Sequence, residues 1–137
     1  MEAGKLEQLL TLNLAREAGI QRVVYLSVFN SDTFTNVPHF AAKYPVERMI
    51  EQFDIPATIL RPNCFMQNDA AYFKDALMGP GFYPFPIGEQ GVSMVDVGDI
   101  AEIAAGALLQ RHRANEPLPR DIVNVVGPEA LTGASIA

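Results

Sequence analysis

Three short apolar runs, rich in β-branched residues and far apart along the chain, constrain the fold more than any other feature. They lie at residues 23–26 ("VVYL"), 57–61 ("ATILR") and 121–126 ("DIVNVV"). Nearly continuous runs of this kind are typical of strands that are buried on both faces of a parallel sheet. The segments between them are helical in pattern, and the alternation predicts an α/β fold with right-handed crossovers.

Helical patterns fill most of the sequence around these runs. Residues 3–18 place Leu6, Leu9 and Leu10 on one face, and Gly19 follows as a stop signal. Further helices are predicted after Pro38, over 64–78, over 96–110 with Asp96 or Asp99 as N-cap, and from 130 to Ala137.

The number of strands predicts only part of a sheet. Sheets average about 5–6 strands, and the first run here has no preceding partner. We therefore predict half of a doubly wound parallel sheet in one domain over 1–137. The open edge at Val23–Leu26 and a poorly covered helix face around Leu9 predict a homodimer or other self-association through the sheet edge.

Composition argues against several classes of partner. The formal net charge is -6, which does not suit a basic face that follows nucleic-acid phosphates. Cys64 is the only cysteine, so the chain can form neither an internal disulfide nor a multi-cysteine metal site, and no metal is expected. No apolar run approaches the roughly 20 residues of a membrane span. The N-terminus lacks a signal-peptide pattern, and we predict a cytoplasmic protein.

We expect the functional site to lie where the parallel strands end. Ligands of open α/β sheets bind beyond the carboxyl ends of the strands. The first strand delivers Ser27 and Val28 to that rim, and the second delivers Asn63, Cys64 and Phe65. The helix that follows the first strand begins on the same side, so three separate segments are expected to converge.

His39 and Lys43 are one helical turn apart in that helix. Side chains at this spacing share a face, with Cβ atoms roughly 6 Å apart. The lysine could donate to ribose hydroxyls, and the histidine could move a proton near neutral pH; both could equally be solvated residues. Pro45 leaves a second question open, because the helix is either kinked there or begins there, with the pair in a loop.

Other residues at the rim also have two interpretations. Ser27 could orient a substrate carbonyl or merely close a strand. Cys64 could be a nucleophile or fill a small apolar site, and Asn63 could bind a ligand amide or form the turn after Pro62. Arg61 is expected to pair with a carboxylate. No nucleotide-binding fingerprint is present, since Gly79 and Gly81 are followed by proline where G-x-G-x-x-G needs glycine.

Five segments in order resemble the NmrA-like group of atypical short-chain dehydrogenases/reductases. They are "AGIQRVVYLSV", "HFAAKYPVERMIE", "DIPATILRPNCFMQN", "MVDVGDIAEIAAGAL" and "NVVGPEALTGASIA", and they cover essentially the whole chain. The resemblance implies a Rossmann domain with a small C-terminal substrate region that binds NADP or NAD.

The resemblance also implies roles for individual residues. Lys43 would contact the nicotinamide ribose, and His39 falls where ordinary short-chain dehydrogenases carry their catalytic tyrosine. Ser27, His39 and Lys43 are thus the catalytic candidates. The cofactor-binding candidates are Ser27, Val28, Lys43, Pro62, Asn63, Cys64 and Phe65.

Two functions are compatible with this resemblance. One is an NAD(P)H-dependent reductase of quinones, dyes or other small molecules; the other is a non-enzymatic NAD(P)-sensing regulator. Family members usually begin with a strand and G-x-x-G-x-x-G, which this sequence does not contain. The expectation is therefore the C-terminal half of such a domain, a fragment with impaired dinucleotide binding.

Overall fold

The computed structural model describes residues 2–136, in which helices and strands alternate along the chain. The helices are α1 (Glu2–Glu17), α2 (Pro38–Ala41), α3 (Tyr44–Gln52), a π-helical turn (Asp69–Phe73), α4 (Lys74–Met78), α5 (Val97–Arg113) and α6 (Gly133–Ile136). The strands are β1 (Val23–Leu26), β2 (Ala57–Pro62) and β3 (Asp121–Val125). Ala137, with which the last predicted helix ends, lies outside the described residues.

The three strands form one parallel sheet in the order β1-β2-β3. Leu26 lies opposite Leu60, and Leu60 lies opposite Val123, so the carboxyl ends of all three strands meet at one edge. The predicted α/β class with a parallel sheet is confirmed. Burial on both faces holds for the central strand β2, whereas Leu26 in β1 and Ile122 in β3 are 43% and 47% exposed.

Helices cover both faces of β2 and create two apolar cores. On one face, Ala57 and Ile59 join side chains of α1 and α3, namely Leu12, Val46 and Ile50. On the other face, Leu60 packs with Val95, Val125 and Ile100 of α5. Because alternate side chains of a strand point to opposite faces, β2 contributes to both cores. The result is a three-layer α/β/α arrangement.

Two helix ends follow the signals in the sequence. Gly19 adopts φ +73° after α1, and its N–H donates to the Arg16 carbonyl at 3.0 Å, which is a glycine stop. Asp96, and not Asp99, caps α5: its carboxylate accepts from the Gly98 N–H at 2.6 Å.

The proline question is resolved by two helices instead of one. Pro38 opens α2, which ends at Ala41, and Lys43 is the N-cap residue of α3, with Pro45 in its first turn. Proline has no N–H to donate and is tolerated only in a first helical turn. The continuous helix that would have put His39 and Lys43 on one face is therefore absent from this part of the chain.

The predicted helix over 64–78 begins later than expected. Residues 64–66 are instead held by Val95: its N–H donates to the Cys64 carbonyl at 2.9 Å, and its carbonyl accepts from Met66 N–H at 3.0 Å. These backbone groups are already paired, so helical structure starts only at Gln67 and passes into the π-helical turn at Asp69.

A large apolar surface remains uncovered around α1 and β1. Leu6, Leu10 and Leu14 are 58%, 55% and 64% exposed along one face of α1, and β1 is an edge strand. The chain exposes 8754 Å², whereas a compact monomer of 137 residues exposes about 7,000 Å². Open edges and large apolar patches favour association.

We therefore expect this chain to form a dimer or larger assembly with a second copy through β1 and the exposed face of α1. Sedimentation velocity should show a species heavier than the monomer, and Leu10→Lys should weaken it by placing a charge on that face. Ile122→Lys, at the opposite edge of the sheet, is the matched control. A monomer at all concentrations would contradict the expectation.

Within residues 2–136, none of the helices has both the length and the apolar character that crossing a membrane requires. The same range holds no cluster of three or more His, Cys, Asp or Glu side chains placed to bind a metal ion.

Candidate functional site

The carboxyl ends of β1 and β2 and the corner between α2 and α3 border an open cavity of about 450 Å³. Ligand pockets typically measure about 300–1,000 Å³. The residues that line the cavity in this protein are Leu26, Ser27, Val28, Phe29, His39, Phe40, Lys43, Pro62, Asn63, Cys64, Phe65, Asn68, Phe85 and Val92. All of the candidate site residues from the sequence therefore line one cavity.

Backbone hydrogen bonds beyond the strands fix the floor of this cavity. The Ser27 N–H donates to Leu60 O at 2.7 Å, and the Phe29 N–H donates to Pro62 O at 2.9 Å. On the other side, the Asn63 N–H donates to Val125 O at 3.0 Å. The ladder thus continues past the ends of β1 and β2 and holds both rim segments in register.

Lys43 reaches the rim from the corner between α2 and α3. Its Nζ donates to the Leu26 carbonyl at 3.0 Å and lies 5.5 Å from the centre of the Tyr25 ring. Burial lowers the pKa of Lys43, because a partly desolvated ammonium is less stable. The ammonium has three donors, so the contact with Leu26 leaves capacity for a ligand.

His39 lies at the exposed mouth of the cavity. It belongs to α2, and its ring centre is 5.9 Å from that of Phe40. Although the helix is interrupted after Ala41, the turn between α2 and α3 still brings His39 and Lys43 to the same cavity. His39 and Lys43 thus line the same cavity, as predicted, but they do not share a helix face.

Ser27 is tied to a buried carboxylate that sequence reasoning did not select. Glu47, in α3, is only 5% exposed, and its Oε1 accepts hydrogen bonds from the hydroxyls of Ser27 and Ser31. The guanidinium of Arg61 donates to both carboxylate oxygens, from Nε at 3.2 Å and from Nη2 at 2.5 Å. Such a bidentate contact with two additional donors satisfies a buried charge.

Arg61 extends this network to the surface. Its Nη1 also donates to Asp32 at 3.0 Å. The hydrogen bond to Glu47, opposed by burial and supported by the charges of Glu47 and Asp32, raises the pKa of Arg61. Burial acts to raise the pKa of Asp32, but the hydrogen bond and charge of Arg61 outweigh it and lower that pKa. The expected pairing of Arg61 with a carboxylate is thus observed, with two partners.

The loop after β2 is braced by its own side chains. The Asn63 side-chain oxygen accepts from the Cys64 N–H at 2.9 Å, which supports the turn-forming role of this asparagine. Burial raises the pKa of the Cys64 thiol. A nucleophilic cysteine needs the opposite shift, so Cys64 is better suited to packing than to attack.

An aromatic wall that the sequence did not reveal completes the cavity. Phe85 lines it and packs against Phe73 and Tyr83, with ring centres 5.7 and 6.3 Å away. The Tyr83 hydroxyl donates to Asp69 at 2.8 Å and thereby joins this segment to the π-helical turn. Glycine and proline in the segment 79–88 hide any periodicity, so only the density of aromatic residues could have indicated the wall.

Sequence comparison relates this chain to known proteins. A model of the NmrA-like family matches residues 6–130. The NAD(P)H azoreductase of Xenophilus azovorans is 34% identical over 91 residues, 66% of this chain and 30% of that protein. The uncharacterized oxidoreductase YesF of Bacillus subtilis (strain 168) is 31% identical over 128 residues, 92% of this chain and 41% of that protein.

A solved structure of UDP-galactose 4-epimerase superposes with a TM-score of 0.67 at 19% identity, over 95% of this chain and 50% of that one. At this identity the match shows the shared Rossmann-type fold alone. The matched part of the chain spans less than half the length of each of the two curated relatives. The match over residues 6–130 confirms the resemblance, and the chain belongs to the NmrA-like family.

Proposed function

We propose that this chain forms the nicotinamide- and acceptor-facing part of an NAD(P)H-dependent reductase for conjugated small molecules such as azo compounds or quinones. The observation that carries the proposal is the convergence of three separate segments on one cavity of about 450 Å³. The family membership and the name of the azoreductase relative support the same reaction class.

The residues present fit the nicotinamide end of the cofactor. Lys43 would donate to ribose hydroxyls, and the loop from Pro62 to Phe65 would pack beside the ring together with Val28. When bound, the nicotinamide supplies the hydride, and the protein supplies orientation and exclusion of water. The sequence contains no glycine-rich phosphate motif, so we expect the chain by itself to bind the whole dinucleotide weakly.

The lining also favours a flat, conjugated acceptor. Phe29, Phe40 and Phe85 contribute aromatic surface, and offset or edge-to-face contacts with such rings stabilise planar ligands. The lining is mostly apolar, as is usual for sites that bind small apolar molecules. His39, at the mouth of the cavity, would exchange a proton with a reduced acceptor.

The test uses reduced nicotinamide mononucleotide, which lacks the adenylate half and so does not depend on a phosphate cradle. With 1,4-naphthoquinone as acceptor, we expect the chain to accelerate oxidation above the uncatalysed rate. Lys43→Met should lower kcat/KM by roughly 10- to 100-fold, the loss of one hydrogen bond from a charged donor. Lys74→Met, at an exposed lysine of α4, should leave the rate unchanged.

Two results would count against the proposal. Oxidation no faster than the uncatalysed reaction, with saturable nucleotide binding, would favour the NAD(P)-sensing regulator. Equal rates for the wild type and Lys43→Met would show that Lys43 does not contribute to the site.

A further inference from the structure

We propose that Ser27 acts in the cavity as a hydrogen-bond acceptor, and that the cavity therefore selects ligands that present an N–H or O–H group to it. The inference deepens the proposed function, because it rests on the same cavity accepting a flat ligand such as the nicotinamide or the acceptor. This role differs from that of orienting a substrate carbonyl, because a serine that orients a carbonyl donates a hydrogen bond to it.

The first step concerns the proton of the hydroxyl. A serine hydroxyl has one proton to donate and two lone pairs. Glu47 faces the guanidinium of Arg61 as a carboxylate, which offers acceptor oxygens only. The proton in the Ser27–Glu47 hydrogen bond is therefore that of Ser27. In the cavity, the hydroxyl retains only its capacity to accept.

The second step concerns how firmly that proton is held. Ser27 is 4% exposed and Glu47 is 5% exposed, so water does not compete freely for either group. Turning the hydroxyl toward a ligand carbonyl would take one donor away from a buried carboxylate. The Oε1 atom would keep Ser31 and Arg61 as donors, but Ser27 would exchange a hydrogen bond to a charged, buried acceptor for a weaker one to a neutral carbonyl. Glu47 thus positions Ser27 as an acceptor.

Ser31 provides a matched control for this inference. It donates to the same Oε1 of Glu47, at 2.7 Å, and is fully buried. It lies outside the lining of the cavity. Removing either hydroxyl deletes one hydrogen bond to the same carboxylate oxygen, but only removal of Ser27 changes what a ligand meets.

The experiment compares nicotinamide with 3-acetylpyridine, which replaces the amide NH₂ by a methyl group. Dissociation constants come from chemical-shift titrations of the protein amides, with no hydride donor present. We expect the wild type to bind nicotinamide roughly 2- to 10-fold more tightly, the effect of one neutral hydrogen bond. Ser27→Ala should bring the ratio close to one, whereas Ser31→Ala and Ser27→Thr should preserve it.

Three outcomes would overturn the inference. They are a wild-type ratio of one or below, a ratio that survives Ser27→Ala, and a ratio that is lost equally in Ser31→Ala. If Ser27→Ala does not fold, the wild-type ratio and that of Ser27→Thr still decide. The readout is binding, so this inference and the proposed function can fail separately. A wild-type protein that turns over but binds both pyridines equally defeats this inference alone. A wild-type protein that prefers nicotinamide but shows no turnover defeats the proposed function alone.

Discussion

Replacing Glu47 with alanine should destabilise the fold by about 3–5 kcal/mol, the usual result of removing one partner of a buried ion pair. The change leaves the guanidinium of Arg61, itself largely buried, with Asp32 as its remaining charged partner. It also deprives the hydroxyls of Ser27 and Ser31 of their acceptor. A typical domain has only about 5–15 kcal/mol of stability, so a large share of it would be lost. Urea denaturation followed by circular dichroism measures the difference.

Glu51→Ala, in the same helix, isolates this effect from any change in helix propensity. Glu51 pairs with Arg48, and both side chains are close to half exposed. Exposed pairs contribute about 0–1 kcal/mol, so this variant should unfold at nearly the wild-type urea concentration. Similar losses for the two variants would show that the Glu47 network has no special importance.

Glu47 also illustrates what the sequence could not reveal. Its partners come from β2, from the end of β1 and from the loop before α2, and they meet only once the sheet has formed. Within α3 it resembles any first-turn glutamate, a position that is commonly exposed. The one local hint was Arg61, a charge at the end of an otherwise apolar strand that needs a partner when buried.

The rim of the cavity, in contrast, could be predicted well. Parallel strands place their carboxyl ends at one edge, so the residue that follows each strand is located by chain direction alone. That argument brings Ser27 and Asn63 together, and the helix that begins on the same side adds Lys43. It required no knowledge of packing.

Boundaries that depend on remote backbone partners were less accessible. Cys64 and Met66 pair with Val95, which lies about thirty positions further along, and no local pattern announces this contact. Helix propensity alone therefore predicts a helix over residues 64–66, although their backbone groups are paired with Val95. The division at Pro45 was visible as an alternative, and the structure ends α2 at Ala41 and begins α3 at Tyr44, with no side-chain capping bond from Lys43.

Arg111, at the opposite end of the sheet from the cavity, carries the second large effect. It is 2% exposed, and its guanidinium donates to the Thr58 hydroxyl at 2.7 Å and to the carbonyls of Leu118 and Pro119 at 3.0 and 2.9 Å. Burial lowers its pKa, opposed by the charge of Asp121. These contacts join α5, β2 and the segment that leads into β3.

Arg111→Met should therefore destabilise the protein by about 2–4 kcal/mol, because each buried acceptor left without a donor costs about 1–3 kcal/mol. Relief from burying a charge offsets part of this loss. Arg111→Lys should recover only part of it, since a single ammonium cannot reach all three acceptors. Arg113→Ala, an exposed arginine of the same helical turn, should change stability little. An unfolding midpoint for Arg111→Met equal to that of Arg113→Ala would show that the three acceptors find other donors.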